Sequence, residues 1–225
     1  MCGRYAFFSP VEAVKRVFGV AALPELAARY NVAPTQAVPV LLETAPGNRE
    51  IALLHWGLIP SWAKERSIGN RMINARAETL AERPAFRRAF RDRRCLVLAD
   101  GWYEWQTTAT GKQPWFIRSR DGLPMGLAGL WESWRDPASG DTVKSVAIVT
   151  TDAPGTLGDI HHRMPAVIAQ EGIAAWLDPG QRGAAALSRW LVGMDPSKFD
   201  AWPVSRQVND PRHEGPELVE PVTVG

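Results

Sequence analysis

Cys95-Leu96-Val97-Leu98-Ala99, followed across Asp100 by Gly101-Trp102-Tyr103-Glu104-Trp105, is the stretch whose reading decides the fold. A short apolar run rich in branched residues and closed by a turn residue reads as a strand. Runs of the same kind recur at Val38 to Leu42, Ile51 to Trp56, Trp115 to Ile117, Gly126 to Trp131 and Val143 to Thr150, with a last strand near Trp202 to Val204. Helical signals are fewer. Ser9-Pro10-Val11-Glu12 has the pattern of a capping box with Pro at the first helical position, opening a helix through Val14, Val17 and Phe18 that Gly19 stops. Pro84 to Phe90 reads as a short helix with Phe86 and Phe90 facing in and Arg87, Arg88 and Arg91 facing out. Two more helices are expected around Gly172 to Leu177 and Ala184 to Leu191. Many short strands with few helices predict an α+β, β-rich single domain, its antiparallel sheet bent and barrel-like and flanked by short helices.

The chain has 225 residues, 45% hydrophobic and 22% charged, which is ordinary globular usage. That length suits one domain with elaborations, drawn here at 1–208, and a Pro- and Glu-containing tail at 209–225 expected to be flexible. No run approaches the ~18 uninterrupted apolar residues of a membrane span, and the first residues lack a signal-peptide core. A soluble, cytoplasmic protein without membrane contact is expected, associated with the nucleoid if it binds DNA. The net charge is only +2, but five of the 26 basic residues are Lys, leaving 21 Arg, whose rigid fork suits phosphate. Ten Trp add platforms on which unpaired bases can stack.

Cys2 carries the chemistry. Aminopeptidases remove Met1 when the next residue is small, leaving a cysteine with a free α-amine (pKa about 7.7–8.0) and a thiol (about 8.5). Such a 1,2-aminothiol condenses with an aldehyde: the amine forms a Schiff base, the sulfur adds to it, and a five-membered thiazolidine closes. Cys95, inside its apolar run, reads instead as a small buried hydrophobe. Neither forms the close pairs of a zinc site, and no metal or cofactor is expected.

Three further segments hold groups able to assist Cys2. Asn74-Ala75-Arg76-Ala77-Glu78-Thr79 is polar and non-periodic. Gly101 to Trp105 sets one carboxylate, Glu104, among three aromatics, where desolvation would raise its pKa toward the range of general acid–base work. Ile160-His161-His162-Arg163-Met164-Pro165 puts imidazoles beside a guanidinium. Singly, each also has an ordinary structural reading as a turn cap, a surface ion pair or a solvated loop.

Taken in order, Met1-Cys2-Gly3-Arg4-Tyr5, Asn31-x-x-Pro34-Thr35, Trp56-Gly57-Leu58-Ile59-Pro60-x-Trp62, Asn74-Ala75-Arg76-x-Glu78-Thr79, Gly101-Trp102-Tyr103-Glu104-Trp105, Thr150-Thr151-x-Ala153 and His161-x-Arg163-Met164-Pro165 resemble the SRAP domain, the SOS-response-associated peptidase family. The resemblance runs from residue 1 to about 205. It implies a β-rich α+β domain with a basic cleft, acting on abasic sites in single-stranded DNA by a thiazolidine crosslink to Cys2 that shields the site during the DNA damage response. It also implies possible autopeptidase, lyase and crosslink-reversal activities. By the same resemblance, Asn74 orients the Cys2 adduct, Glu104 is the acid–base carboxylate, and His161 acts at the Schiff-base stage and in reversal. Arg4, Arg76 and Arg163 are expected on the DNA, with Trp62 and Trp105 flanking its channel. A monomer suits an active site at a chain terminus.

Two other readings compete. An N-terminal-nucleophile amidohydrolase would also expose a Cys after Met removal, but needs an oxyanion hole and substrate clamp whose motifs are missing. A non-catalytic single-stranded-DNA-binding module needs the Arg and Trp positions but not Cys2, Glu104 or His161.

Overall fold

The computed structural model describes residues 2–223. In chain order its elements are β1 (Tyr5–Phe7), α1 (Val11–Phe18), β2 (Arg29–Val32), β3 (Ala37–Ala45), β4 (Asn48–Trp56), β5 (Asn74–Arg76), α2 (Arg87–Asp92), β6 (Arg94–Ala99), β7 (Gly101–Thr108), β8 (Gly111–Ser119), β9 (Met125–Arg135), β10 (Thr142–Asp152), α3 (Gly155–Ile160), β11 (Arg163–Pro165), β12 (Val167–Ile168), α4 (Ile173–Leu177), α5 (Ala184–Ser188) and β13 (Phe199–Pro203), with several 3-10 turns between them.

Five strands close on themselves: β3 pairs with β4 and β6, β6 with β9, β9 with β10, and β10 with β4. The barrel expected from the strand pattern is therefore present. Its pairing is not wholly antiparallel, because a closed ring of five strands cannot alternate direction all the way round. The parallel pair falls at β4–β10, where Ser145 faces His55 and Val146 faces Trp56. One contiguous core draws on all five strands, through residues such as Val40, Leu54, Leu96, Leu127 and Ile148.

A second sheet, in the order β13-β8-β7-β1-β2, grows out of the barrel at Asp100, the single residue between β6 and β7. Gly101 is required there: a Cβ would fall 2.3 Å from the Phe116 ring and 2.7 Å from the Ile117 carbonyl oxygen. The Asp100 carboxylate accepts from the backbone N–H groups of Phe8 (2.5 Å) and Ser9 (2.7 Å) and from the Ser9 hydroxyl. This overrides the expected capping box. Ser9 is spent on Asp100, α1 begins at Val11 with no side-chain cap, and Gly19 ends it in the left-handed conformation at φ 67°.

Between β4 and β5 the chain leaves the barrel edge at Gly57 and returns at Ile73. It then runs parallel to β10 again, with Asn74 opposite Ile148. Gly57 N–H donates to the Val146 carbonyl (2.9 Å) and Ile148 N–H to the Ile73 carbonyl (3.0 Å), so exit and return use the same strand edge. The excursion is pinched at its neck by two glycines, since a Cβ on Gly57 would meet the Gly69 carbonyl oxygen at 2.7 Å.

The C-terminal segment is docked, contrary to the mobile tail expected from its composition. Trp202 Nε1 donates to the Val219 carbonyl (2.8 Å), Val222 N–H to the Pro203 carbonyl (2.9 Å), and Val204 bridges to Pro221. Leu218 plugs a small second core with Ala6, Tyr103, Phe116, Val204 and Val208. Its burial, hidden by the polar residues around it, holds the segment down.

Candidate active site at the seam of two sheets

Four residues expected to do chemistry arrive from separate elements where the second sheet meets the barrel. Cys2 precedes β1, whose Tyr5 pairs with Trp102 of β7; the Tyr103 N–H donates to the Arg4 carbonyl at 2.9 Å. The N-terminal residues thus run out along β7 toward Glu104. Asn74 opens β5 on the barrel edge, and its Nδ2 donates to the Cys2 carbonyl at 2.8 Å. His161 caps the C-terminal end of α3, its N–H donating to the Leu157 carbonyl (3.1 Å). Its Nδ1 lies 3.7 Å from Glu104 Oε2.

The electrostatics follow from burial. Glu104 is only 3% exposed, and desolvation pushes its carboxyl up to about 7. At neutral pH it is therefore divided between acid and base, the condition under which one group can serve both transfers. Cys2 is fully buried, and its thiol is pushed up first by burial and then by the Glu104 charge; the Arg4 backbone N–H acts on the sulfur in the opposite sense. Burial lowers the His161 pKa, favouring the neutral ring. His161 Nδ1 lies 3.0 Å from both the backbone nitrogen and the carbonyl oxygen of Arg163, so the Arg163 backbone fixes the ring in either tautomer. The His161 and His162 rings stack at 4.5 Å between centroids.

The residues expected on DNA divide into two groups. Arg76 is exposed at the end of β5, two residues beyond Asn74. Trp62 is 59% exposed, on the excursion that ends at Asn74, beside a groove also lined by Lys64, Ile68 and Arg71. So large an exposed ring is poorly explained by packing. Trp105 is half-buried, with Nε1 donating to Asn209 Oδ1 at 2.7 Å.

Arg163 and Arg4 are turned into the protein. Arg163 is 7% exposed and donates to Glu78 Oε1 (2.7 Å), Asp152 Oδ1 (2.6 Å) and the Thr150 carbonyl (2.6 Å). A guanidinium balanced by two carboxylates ties β11 to β10 and leaves little for a phosphate. Arg4 Nη1 donates to Asn31 Oδ1 (2.7 Å) and to the Val208 carbonyl (2.6 Å). Asn31 itself is fully buried. The Asn-x-x-Pro-Thr motif held it in view, but its partners lie up to 182 residues away in sequence, so its place was not readable from the chain.

Comparison with known proteins gives the family and agrees with the fold. The family model described as SOS response associated peptidase (SRAP) matches residues 1–211. The abasic site processing protein YoqW of Bacillus subtilis is 38% identical over 98% of this chain and 99% of its own. The abasic site processing protein HMCES of Pongo abelii is 31% identical over 99% of this chain and 76% of its own. A crystal structure of a protein from Bacteroides thetaiotaomicron superposes with a TM-score of 0.86 at 26% identity, covering 99% of this chain and all of that one. A barrel closed as described, a buried cysteine and glutamate beside a half-buried asparagine and histidine at its seam, and a family match over nearly the whole length lead to one conclusion: the chain belongs to the SOS response associated peptidase (SRAP) family.

Proposed function

We propose that this protein captures abasic sites in single-stranded DNA as a covalent thiazolidine on Cys2, once Met1 has been removed. Met1 lies outside the described residues, and while it is attached the Cys2 nitrogen is an amide that cannot form an imine. The observation that carries the reading is the grip of Asn74 Nδ2 on the Cys2 carbonyl (2.8 Å), with a near-neutral-pKa Glu104 acting on the same thiol. The names of the curated relatives, abasic site processing proteins, support the substrate.

Each step balances. The α-amine of Cys2 adds to the aldehyde carbon of the opened deoxyribose, and the carbinolamine loses water to leave an imine. Cys2 sulfur then bonds to the imine carbon while the thiol proton passes to nitrogen. One water leaves and nothing is oxidised or reduced. Glu104 in its acid form protonates the departing hydroxyl; as carboxylate it takes the thiol proton. Neutral His161, 3.7 Å from that carboxyl, relays protons to and from the nitrogen. Asn74 fixes the Cys2 carbonyl so that amine and sulfur face one carbon. Arg76 supplies phosphate contact, and Trp62 a stacking surface worth ~1–3 kcal/mol per base.

The test compares the processed protein with a form retaining Met1, each mixed with an oligonucleotide bearing one abasic site and run on a denaturing gel. A retarded band is expected with the processed form only. A band of equal intensity from the Met1-retaining form would overturn the aminothiol mechanism.

A further inference from the structure

We propose that Asn31 is a positioning residue for Cys2, and that the C-terminal residues 208–214 act through it as a clamp on Arg4. The inference rests on the aminothiol reading above. Asn31 is 0% exposed, and its side chain joins three pieces of chain. Oδ1 accepts from Arg4 Nη1 at 2.7 Å, while Nδ2 donates to the carbonyls of Asp210 (3.0 Å) and His213 (2.8 Å). Arg4 Nη1 makes its second bond to the Val208 carbonyl at 2.6 Å, so both of that nitrogen's protons are spent inside the clamp. Immediately before Asn31 the same segment holds β2. The Glu214 carboxylate accepts from Arg29 Nε at 3.1 Å and from the Tyr30 N–H.

The clamped residue stands next but one to the nucleophile. The Arg4 carbonyl accepts from Tyr103 N–H (2.9 Å), and the Arg4 N–H acts on Cys2 sulfur. Fixing the guanidinium at the far end of the side chain fixes the peptide unit that orients the thiol. Burying an amide is costly unless each of its polar atoms is bonded. At position 31 both the oxygen and the nitrogen are bonded, and one bond reaches Arg4 in the segment that carries Cys2 rather than closing locally. The clamp also explains why Arg4, expected on a phosphate, points inward.

The experiment measures single-turnover crosslinking at saturating protein, against pH, together with the Kd for an oligonucleotide whose abasic sugar has been reduced and cannot react. Asn31→Leu keeps Arg4 and its charge but removes the three bonds. The saturating rate is expected to fall at least about tenfold, since ångström-scale misplacement costs up to about 100-fold, and the rising limb of the pH profile should move to higher pH. Should Asn31→Leu fail to fold, Arg4→Met keeps an apolar stem but loses both Nη1 bonds, and the same fall in the saturating rate is expected. A saturating rate equal to wild type in the folded variant, with or without weaker binding, overturns the clamp. Absence of crosslinking by the wild-type protein would instead overturn the aminothiol reading itself.

Discussion

Cys2 and Cys95 are equally buried, and burial pushes both thiols up, yet only one of them has neighbours that can move a proton. Cys95 lies on β6 inside the barrel. Its sulfur occupies the space left by Gly129, where a Cβ would come within 2.8 Å of it, and Val146 and Val97 crowd the same spot. Nothing but desolvation acts on that thiol. Cys2 lies at the seam of the two sheets, held by Asn74 and flanked by Glu104 and the Arg4 N–H. Burial without proton-moving neighbours makes a cysteine inert packing; Cys2 is buried among groups that can move a proton. The barrel supplies rigidity, and the seam supplies polar groups drawn from elements far apart in sequence.

That contrast can be broken at its strongest point. Cys2→Ala should abolish covalent capture of abasic DNA while leaving reversible binding measurable by fluorescence anisotropy. Cys95→Ala should leave the crosslinking rate within about twofold and cost about 1 kcal/mol in denaturant unfolding, the scale of a small core deletion. Equal loss of crosslinking in both variants would erase the distinction.

Glu104→Gln is the next largest effect. Removing a general acid–base group should slow crosslinking by about 10²–10⁴-fold. With its carboxyl at about 7, wild-type crosslinking should lose its general acid as pH rises through that value, and the variant should lose this alkaline limb. The same substitution should stabilise the fold. A carboxyl raised in the folded state opposes folding once the unfolded chain ionises, from about pH 4.5, and the penalty is complete above about 7. Unfolding at pH 8 should therefore show Glu104→Gln more stable, by up to roughly 3 kcal/mol at 1.36 kcal/mol per unit, and the gain should vanish at pH 4. A variant less stable at pH 8 would show that Glu104 is a structural partner.

Arg76→Ala should weaken binding of all single-stranded sequences alike and lower the slope of log affinity against log salt by about 0.7, one phosphate's worth. A sequence-selective loss would contradict a backbone contact. Trp62→Ala should cost about 1–3 kcal/mol in binding with the saturating crosslinking rate unchanged.

The barrel was legible because its strands are nearly continuous apolar runs: Leu96, Val97 and Leu98 have no face that tolerates a charge. The three-residue strands β1, β5 and β11 carry no such signal, and β5 is polar, with Asn74 bonded to the Cys2 carbonyl and Arg76 exposed. The parallel pairing at β4–β10 follows from closing an odd ring, which strand propensity does not encode. Ser9 satisfied every local rule for a helix cap and was diverted by Asp100, a contact across 91 residues. Cys2, Asn74, Glu104 and His161 could be named from chemistry and motif, whereas their meeting at the seam needed the fold. The inward turn of Arg4 and Arg163 was unreadable for the same reason: an arginine's partners, not its motif, decide whether it faces solvent.

The most direct test is the intact mass of the purified protein before and after mixing with a single-stranded oligonucleotide containing one abasic site. The expected result is loss of Met1, then a heat-stable species at the mass of protein plus DNA minus one water, present in Cys95→Ala and missing in Cys2→Ala. A processed N-terminus that yields no adduct, or an adduct that survives in Cys2→Ala, would contradict it.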